Sequence, residues 1–214
     1  MIEHVVRSES SPLANQFKVV PVPPFDRAAT VEFCHKSLPK HLLTQETVAR
    51  LFEFTSGHPF YLNCLTTAMR RLDVDRVHLW NKPGDDVLDR AIYEEILMRE
   101  GRIGQYCEHR IEMALAEARG KTTLRSVLLV LAQEGKTNLS QIAAHLKRRP
   151  GEVRSYLQRL SDFDLIGREG RWYYITDSII ALWIKFMILE RTPAYSEYKH
   201  VTQRYLDCLA KQAV

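Results

Sequence analysis

Apolar residues recur at helical spacing along most of this chain, and strand-like alternation is confined to a few short runs. From Phe25 the segment FDRAATVEFCHKSL sets Ala29, Val31, Phe33 and Leu38 among polar residues. Asp26 stands near its start, where a carboxylate suits the positive end of a helix. TQETVARLFEFTSG predicts a second helix, with Thr44 as amino cap, Glu46 and Thr47 in the first turn and Gly57 as the stop. Pro59 suits the first turn of a third, PFYLNCLTTAMRRL, which Arg70 and Arg71 close with favourable charge. The polar stretch 73–86, with its Pro-Gly step, predicts a connection. DVLDRAIYEEILMRE and GQYCEHRIEMALAEARG predict two more helices leading to Gly120, a candidate domain boundary.

Beyond Gly120 the order of elements changes. TTLRSVLLVLAQEG predicts a helix with Leu124, Val127, Leu128 and Leu131 inward, followed by an extended step at Lys136 and Thr137. In NLSQIAAHL, Asn138 and Gln141 have capping-box spacing, and Ile142 and Leu146 face inward. KRRP interrupts that helix, and Pro150 opens the next, GEVRSYLQRL. DLIGREGRWYYIT then reads as two strands around Arg168, Glu169 and Gly170. Helix, short strand, helix, tight turn, helix, β-hairpin is the order of a winged helix-turn-helix. The expected fold class is therefore mainly α: a helical bundle followed by a winged helix-turn-helix with a small β-hairpin. The expected organisation is a short strand and linker over 1–23, a helical domain over 24–119, the winged helix over 120–176, and carboxyl-terminal helices packed on it over 177–214.

Composition adds limits. With 45% hydrophobic and 26% charged residues among 214, the chain has the make-up of an ordinary globular protein. Four cysteines, Cys34, Cys64, Cys107 and Cys208, stand far apart without a C-x-x-C pair, which suits buried thiols in a reduced, cytoplasmic setting. Cys107, His109 and Glu112 come nearest to a metal cluster but lack ligand spacing, so no metal is expected. The most apolar run, SIIALWIKFMIL, carries Lys185 and is too short to span a bilayer; a buried helix and no membrane partner are expected. The start of the chain has no apolar segment of signal-peptide type. Asp85, Asp86, Asp89, Glu94 and Glu95 read as helix-start and solvent-face charges rather than an acid/base pair, and no catalytic residue is expected.

Net charge is only +4, yet between Arg119 and Arg171 eleven Lys or Arg face five Asp or Glu, so the remainder is slightly acidic. That concentration points to a polyanion-facing module. On the third helix after Gly120, Val153, Leu157 and Leu160 recur at the helical period and predict the core side, flanked by Tyr156. The opposite side carries Arg154, Ser155 and Gln158, preceded by Lys147, Arg148 and Arg149. In a helix-turn-helix this face enters the major groove, where Arg pairs with guanine and Gln with adenine while Lys and Arg hold phosphates. Arg168 and Arg171 would sit on the wing. Double-stranded DNA is the expected partner; the other reading of the same surface is a solvated basic face or a protein-docking winged helix.

Two Gly-Lys-Thr triplets, at 120–122 and 135–137, invite comparison with a phosphate-binding loop. The required earlier glycines are replaced by Leu115 and Val130, and both triplets follow helix-forming sequence rather than a strand. Neither is expected to bind nucleotide.

At FTSGHPFYLNCL the sequence resembles a known family. Gly57-His58-Pro59-Phe60-Tyr61-Leu62 is similar to the Gly-x-Pro signature at the helical lid of archaeal-type P-loop ATPases of the AAA/STAND group. The resemblance extends through SESSPLANQFKVVPVPPF, through GRIGQYCEHRIEMALAEARGKTTLRSVLLVLA and through YYITDSIIALWIKF, nearly the whole chain up to Arg191. It implies that Gly57, His58 and Pro59 lie on the adenine side of a nucleotide site, although the glycine as helix stop and the proline as helix start would account for two of them. The family's Gly-Arg pair is replaced by Asn15-Gln16, and its Walker A and Walker B core, which would precede Met1, is not in this sequence. The resemblance thus implies a carboxyl-terminal portion of a P-loop ATPase, with ATP and Mg held by a full-length parent and no cofactor for this chain itself. The alternative is a stand-alone winged-helix transcriptional regulator that forms a homo-oligomer through residues 24–119.

Overall fold

A computed structural model describes residues 23–79, 87–116 and 118–187, the side chains of 75–79 excepted. The expected strand and linker over 1–23, the Asn15-Gln16 pair, the rest of the carboxyl-terminal segment and Cys208 lie wholly or mainly outside the described residues.

The first part is helical. Helix α1 (Arg27–Ser37) starts at Asp26, whose carboxylate accepts a hydrogen bond from the Ala29 amide at 2.7 Å. Its inward stripe is Thr30, Cys34 and then Leu38, whereas Val31 is exposed and Phe33 half-buried. The polarity of Thr30 concealed this stripe. Its hydroxyl donates to the Asp26 carbonyl at 2.8 Å, so the residue can face the core at little cost. Helix α2 (Gln45–Thr55) is capped by Thr44, which accepts from the Thr47 amide at 3.0 Å, and ends where Ser56 and Gly57 turn left-handed.

Helix α3 (Pro59–Leu79) is longer than expected. It passes Arg71 and runs through the first half, 73–79, of the segment assigned to a connection. The polar residues after Leu72 include neither glycine nor proline until Pro83, so nothing between 73 and 79 interrupts the backbone hydrogen bonds. Helices α4 (Val87–Leu97) and α5 (Arg102–Leu115) complete the bundle, with α4 packed along α3 and α5 along α4.

Two carboxylates expected at the solvent face are instead buried. Asp89 meets Arg50 of α2 at 2.5 Å, and Glu95 accepts from both the amide and the guanidinium of Arg102 at 3.1 Å. Arg102 also donates to the Cys64 carbonyl of α3 at 3.0 Å. Periodicity alone does not show that a partner arrives from another helix.

The second part begins with α6 (Lys121–Glu134), where Leu124, Val127, Leu128 and Leu131 are buried. Strand β1 (Thr137–Asn138) leads into α7 (Leu139–His145) through a complete Asn138–Gln141 capping box. Within α7 Ile142 is buried, and Leu146 just beyond it is half-buried. Helix α8 (Pro150–Asp162) follows, then β2 (Ile166–Glu169) and β3 (Trp172–Ile175). The three strands form an antiparallel sheet of order β1-β3-β2, with Thr137 and Arg168 both opposite Tyr173. The protein is thus mainly helical with a small antiparallel sheet.

Helix α9 (Ser178–Met187) joins the parts. It buries Ile179, Ile180, Leu182, Trp183, Ile184 and Phe186 against α2, α4 and α5 as well as against α6 and β3. Each fully buried side chain of this size contributes roughly 1.5–3 kcal/mol. Its first turn is fixed by Asp177: one carboxylate oxygen accepts from the Ile179 and Ile180 amides, and the other accepts from the buried Tyr61 hydroxyl at 2.5 Å. Among the described residues no helix is long and apolar enough to cross a membrane.

Burial raises the thiols of Cys34 and Cys64 to about 11 and that of Cys107 well above its ordinary value; burial and the adjacent Asp177 raise the Tyr61 hydroxyl. Each group is held protonated in the folded state, so its contribution is full below the unfolded thiol value of 9.0 and declines as pH rises through the folded value. The urea midpoint should hold steady at neutral pH and fall between roughly pH 9 and 11. Tyr61→Phe should destabilise the fold by about 2 kcal/mol at neutral pH in urea denaturation, because it leaves one Asp177 oxygen without its donor.

Candidate functional site

Helix α8 has two chemically distinct sides. Val153, Leu157 and Leu160 are buried, as their spacing predicts, while Arg154, Ser155 and Gln158 are exposed. Lys147, Arg148 and Arg149 are exposed in the tight turn before α8, which Lys147 makes by adopting φ 52. Arg168 and Arg171 are exposed at the β2–β3 turn. The structure therefore places all eight side chains on the surface of two neighbouring elements and their turns.

Their local partners differ. Arg148 pairs with Glu152 at 3.4 Å, Gln158 donates to Asp162 at 2.9 Å, and Ser155 donates to the Glu152 carbonyl at 2.9 Å. Lys147, Arg149 and Arg154 have no ion-pair partner among the described residues. On the hairpin, Arg168 donates to the Gly170 carbonyl at 2.8 Å and lies over Tyr173, and Arg171 lies over Trp172 at 4.9 Å. Lys136, which the sequence did not single out, pairs with Glu169 at 2.7 Å and lies over Tyr174. Their mutual charge and hydrogen bond raise the Lys136 pKa and lower that of Glu169. Three consecutive aromatic residues of β3 thus each carry a cation, an arrangement that fixes long side chains in advance of any ligand. The signal was in the sequence as Trp172-Tyr173-Tyr174 preceded by Arg168 and Arg171, but only strand pairing brings Lys136 beside it.

The Gly57-His58-Pro59 turn lies elsewhere, between α2 and α3. Gly57 has φ 72, and its carbonyl accepts from the Phe25 amide at 2.9 Å. A side chain there would place its Cβ 1.9 Å from the Phe25 carbonyl oxygen. Both backbone conformation and space therefore demand glycine. Pro59 begins α3 as its missing amide hydrogen allows. The His58 ring lies 4.5 Å from that of Tyr61, and its Nδ1 atom is buried without a hydrogen-bond partner among the described residues. Phe60 lies over Tyr106 with ring centroids 5.0 Å apart, leaving an aromatic surface beside the turn.

A cleft of about 520 Å³ was not anticipated from sequence. It lies where α3 meets the α4–α5 turn and is lined by Thr67, Arg71, Glu94, Glu95, Met98 and Arg102, among others. Its carboxylates Glu94 and Glu95 are already matched by Arg71, Arg90 and Arg102. Among the described residues no group of three or more His, Cys, Asp or Glu could hold a metal ion. Of the Gly-Lys-Thr triplets, one starts α6 after a turn and the other ends it.

The chain matches no family model and no curated protein. Among solved structures it is similar to a Walker-type ATPase of Pyrococcus abyssi, with a TM-score of 0.58 and 18% identity, over 85% of this chain and 48% of that one. At this identity the likeness is one of fold. The chain spans about half the length of the solved ATPase it matches.

Gly57→Ala should lower stability by about 2 kcal/mol or more, because the left-handed conformation and the Phe25 carbonyl both oppose a methyl group. Urea denaturation measures this, and a loss under 0.5 kcal/mol would mean that Phe25 moves away freely.

Proposed function

We propose that residues 120–176 form a winged helix-turn-helix that binds double-stranded DNA through α8 and the β2–β3 wing. The observation that carries this reading is the group of exposed cations Lys147, Arg149 and Arg154 at and before the start of α8, without an ion-pair partner among the described residues and opposite a fully buried Val153–Leu157–Leu160 stripe. In the major groove Arg154 would offer paired donors to guanine, and Gln158, released from Asp162, would offer its amide to adenine. Lys147, Arg148 and Arg149 would hold phosphates at the turn, with Ser155 beside them. Arg168 and Arg171, already laid against aromatic rings, would meet the backbone or the minor groove from the wing.

On this proposal residues 24–119 are the lid-like part of a P-loop ATPase-family protein, and nucleotide state in the full protein sets the orientation of the DNA-binding module. The fold likeness to a Walker-type ATPase supports this reading. Gly57, His58 and Pro59 would lie on the adenine side, where the unpartnered His58 Nδ1 is an atom suited to a nucleobase. ATP and Mg would be held by other residues of the parent, and this chain would perform no phosphoryl transfer alone.

A second reading has its own support. Arg148–Glu152, Gln158–Asp162 and Lys136–Glu169 give the same surface interspersed charges, which suits a protein partner. Salt dependence separates the two, since a duplex ligand releases counterions in proportion to the phosphates neutralised.

Titration with duplex DNA over a range of salt should give a steep linear dependence of log affinity on log salt. Arg149→Ala with Arg154→Ala should weaken binding and reduce the slope by roughly 0.9, the share of the one phosphate contact assigned to Arg149. An unchanged affinity and slope would remove both residues from the interface. Calorimetry with ATP should show no binding to this chain alone; sub-micromolar binding would overturn the assignment of the phosphate site to the parent.

A further inference from the structure

We infer that the helical bundle and the α6–β3 unit form one rigid lever, in which Arg110 and Arg159 are positioning residues that lock α8 to the bundle. Arg110 of α5 donates to the Phe163 carbonyl at 3.2 Å and the Asp164 carbonyl at 3.5 Å, at the carboxyl end of α8. Arg159 of α8 donates to the Ala114 carbonyl at 2.8 Å and to the Ala116 carbonyl, at the carboxyl end of α5. Each cation thus sits where the other helix exposes its last carbonyls and the negative end of its dipole.

This arrangement is reciprocal, which matters mechanically. A single arginine acts as a pivot, since its guanidinium can follow one helix end while the helices rotate. Two contacts running in opposite directions between the same pair of helices fix both separation and rotation. Asp164 completes one side by adopting φ 56, a left-handed turn that aspartate tolerates and that ends α8 beside Arg110. Arg159 lies over the Phe163 ring at 5.4 Å, which holds its guanidinium in place.

The connecting segment would otherwise be the natural place to bend. It spans 116–120 and ends at Gly120, a glycine at φ 79. Yet Tyr156 of α8 packs so closely against Gly120 that a Cβ there would lie 2.7 Å from the Tyr156 hydroxyl. The burial of α9 against α2, α4 and α5 on one hand and α6 and β3 on the other opposes bending by a second route. If, as the proposed function holds, nucleotide state turns the lid-like bundle, α8 turns with it by the same angle, without a joint between them. The inference rests on that reading only for its use; the rigidity is a property of this chain.

Pulsed electron-electron resonance tests it without DNA or nucleotide. Spin labels at Glu46→Cys on α2 and Ser140→Cys on α7, both exposed positions, report across the connection; Cys208→Ser removes the fourth cysteine, Cys34, Cys64 and Cys107 being buried. The otherwise unsubstituted protein should give one narrow distance distribution. Arg110→Ala with Arg159→Ala should at least double its width while far-UV circular dichroism stays unchanged, and restoring either arginine should narrow it. A broad distribution before either arginine is replaced overturns the lever, and an equally narrow one in the folded double variant overturns the role of the two arginines. Should the double variant lose its helical signal, Arg110→Gln alone decides the second point, with broadening expected and an unchanged width counting against it. Loss of DNA binding with a narrow distribution would sink only the proposed function; a broad distribution with salt-dependent DNA binding would sink only the lever.

Discussion

The fold depends on burying most of a ten-residue apolar helix. Six side chains of Ser178–Met187 are removed from water, while Ser178, Ala181, Lys185 and Met187 are half-buried. Neither part of the chain covers it alone: α2, α4 and α5 supply one wall, and α6 and β3 supply the other. Hydrophobic burial therefore draws the two parts into one continuous core. Asp177 fixes where the helix starts by accepting from its first amides and from Tyr61, so the bundle and α9 share a buried anchor.

That constraint separates interior polar groups from surface ones. Asp89, Glu95, Tyr61 and Asp177 are held by partners from other elements, and their substitution would disturb packing before anything else. Lys147, Arg149 and Arg154 stabilise nothing comparable. A helix such as α8, whose apolar side faces the core while Arg154 has no ion-pair partner among the described residues, has an outer face available for recognition. The neighbouring hairpin prepares its cations in another way, by laying them on aromatic rings of β3.

The same packing bears on how a change in one part would reach the other. In many two-part proteins the connection is a flexible linker, and information is lost there. Here the ends of α5 and α8 are tied by a pair of arginines, and Gly120 lies close against Tyr156. The Gly57 turn is held just as firmly to Phe25 through both a hydrogen bond and close backbone contact. Such features suit a component that transmits orientation.

Local chemistry was legible in the sequence because caps and periodic stripes act over three or four residues. Thr44, the Asn138–Gln141 box and Pro150 stand where their neighbours alone dictate, and Val153, Leu157 and Leu160 face inward because helical geometry leaves no other consistent core side. The basic residues of the candidate interface were likewise visible as a charge excess on one segment. Tertiary structure alone decided that Asp89 and Glu95 go inside, since a carboxylate becomes acceptable there only when an arginine arrives from another helix to satisfy it. It also decided that Lys136 joins the aromatic strand and that Arg110 meets the end of α8, because residues far apart in sequence are brought together by packing that no local pattern encodes.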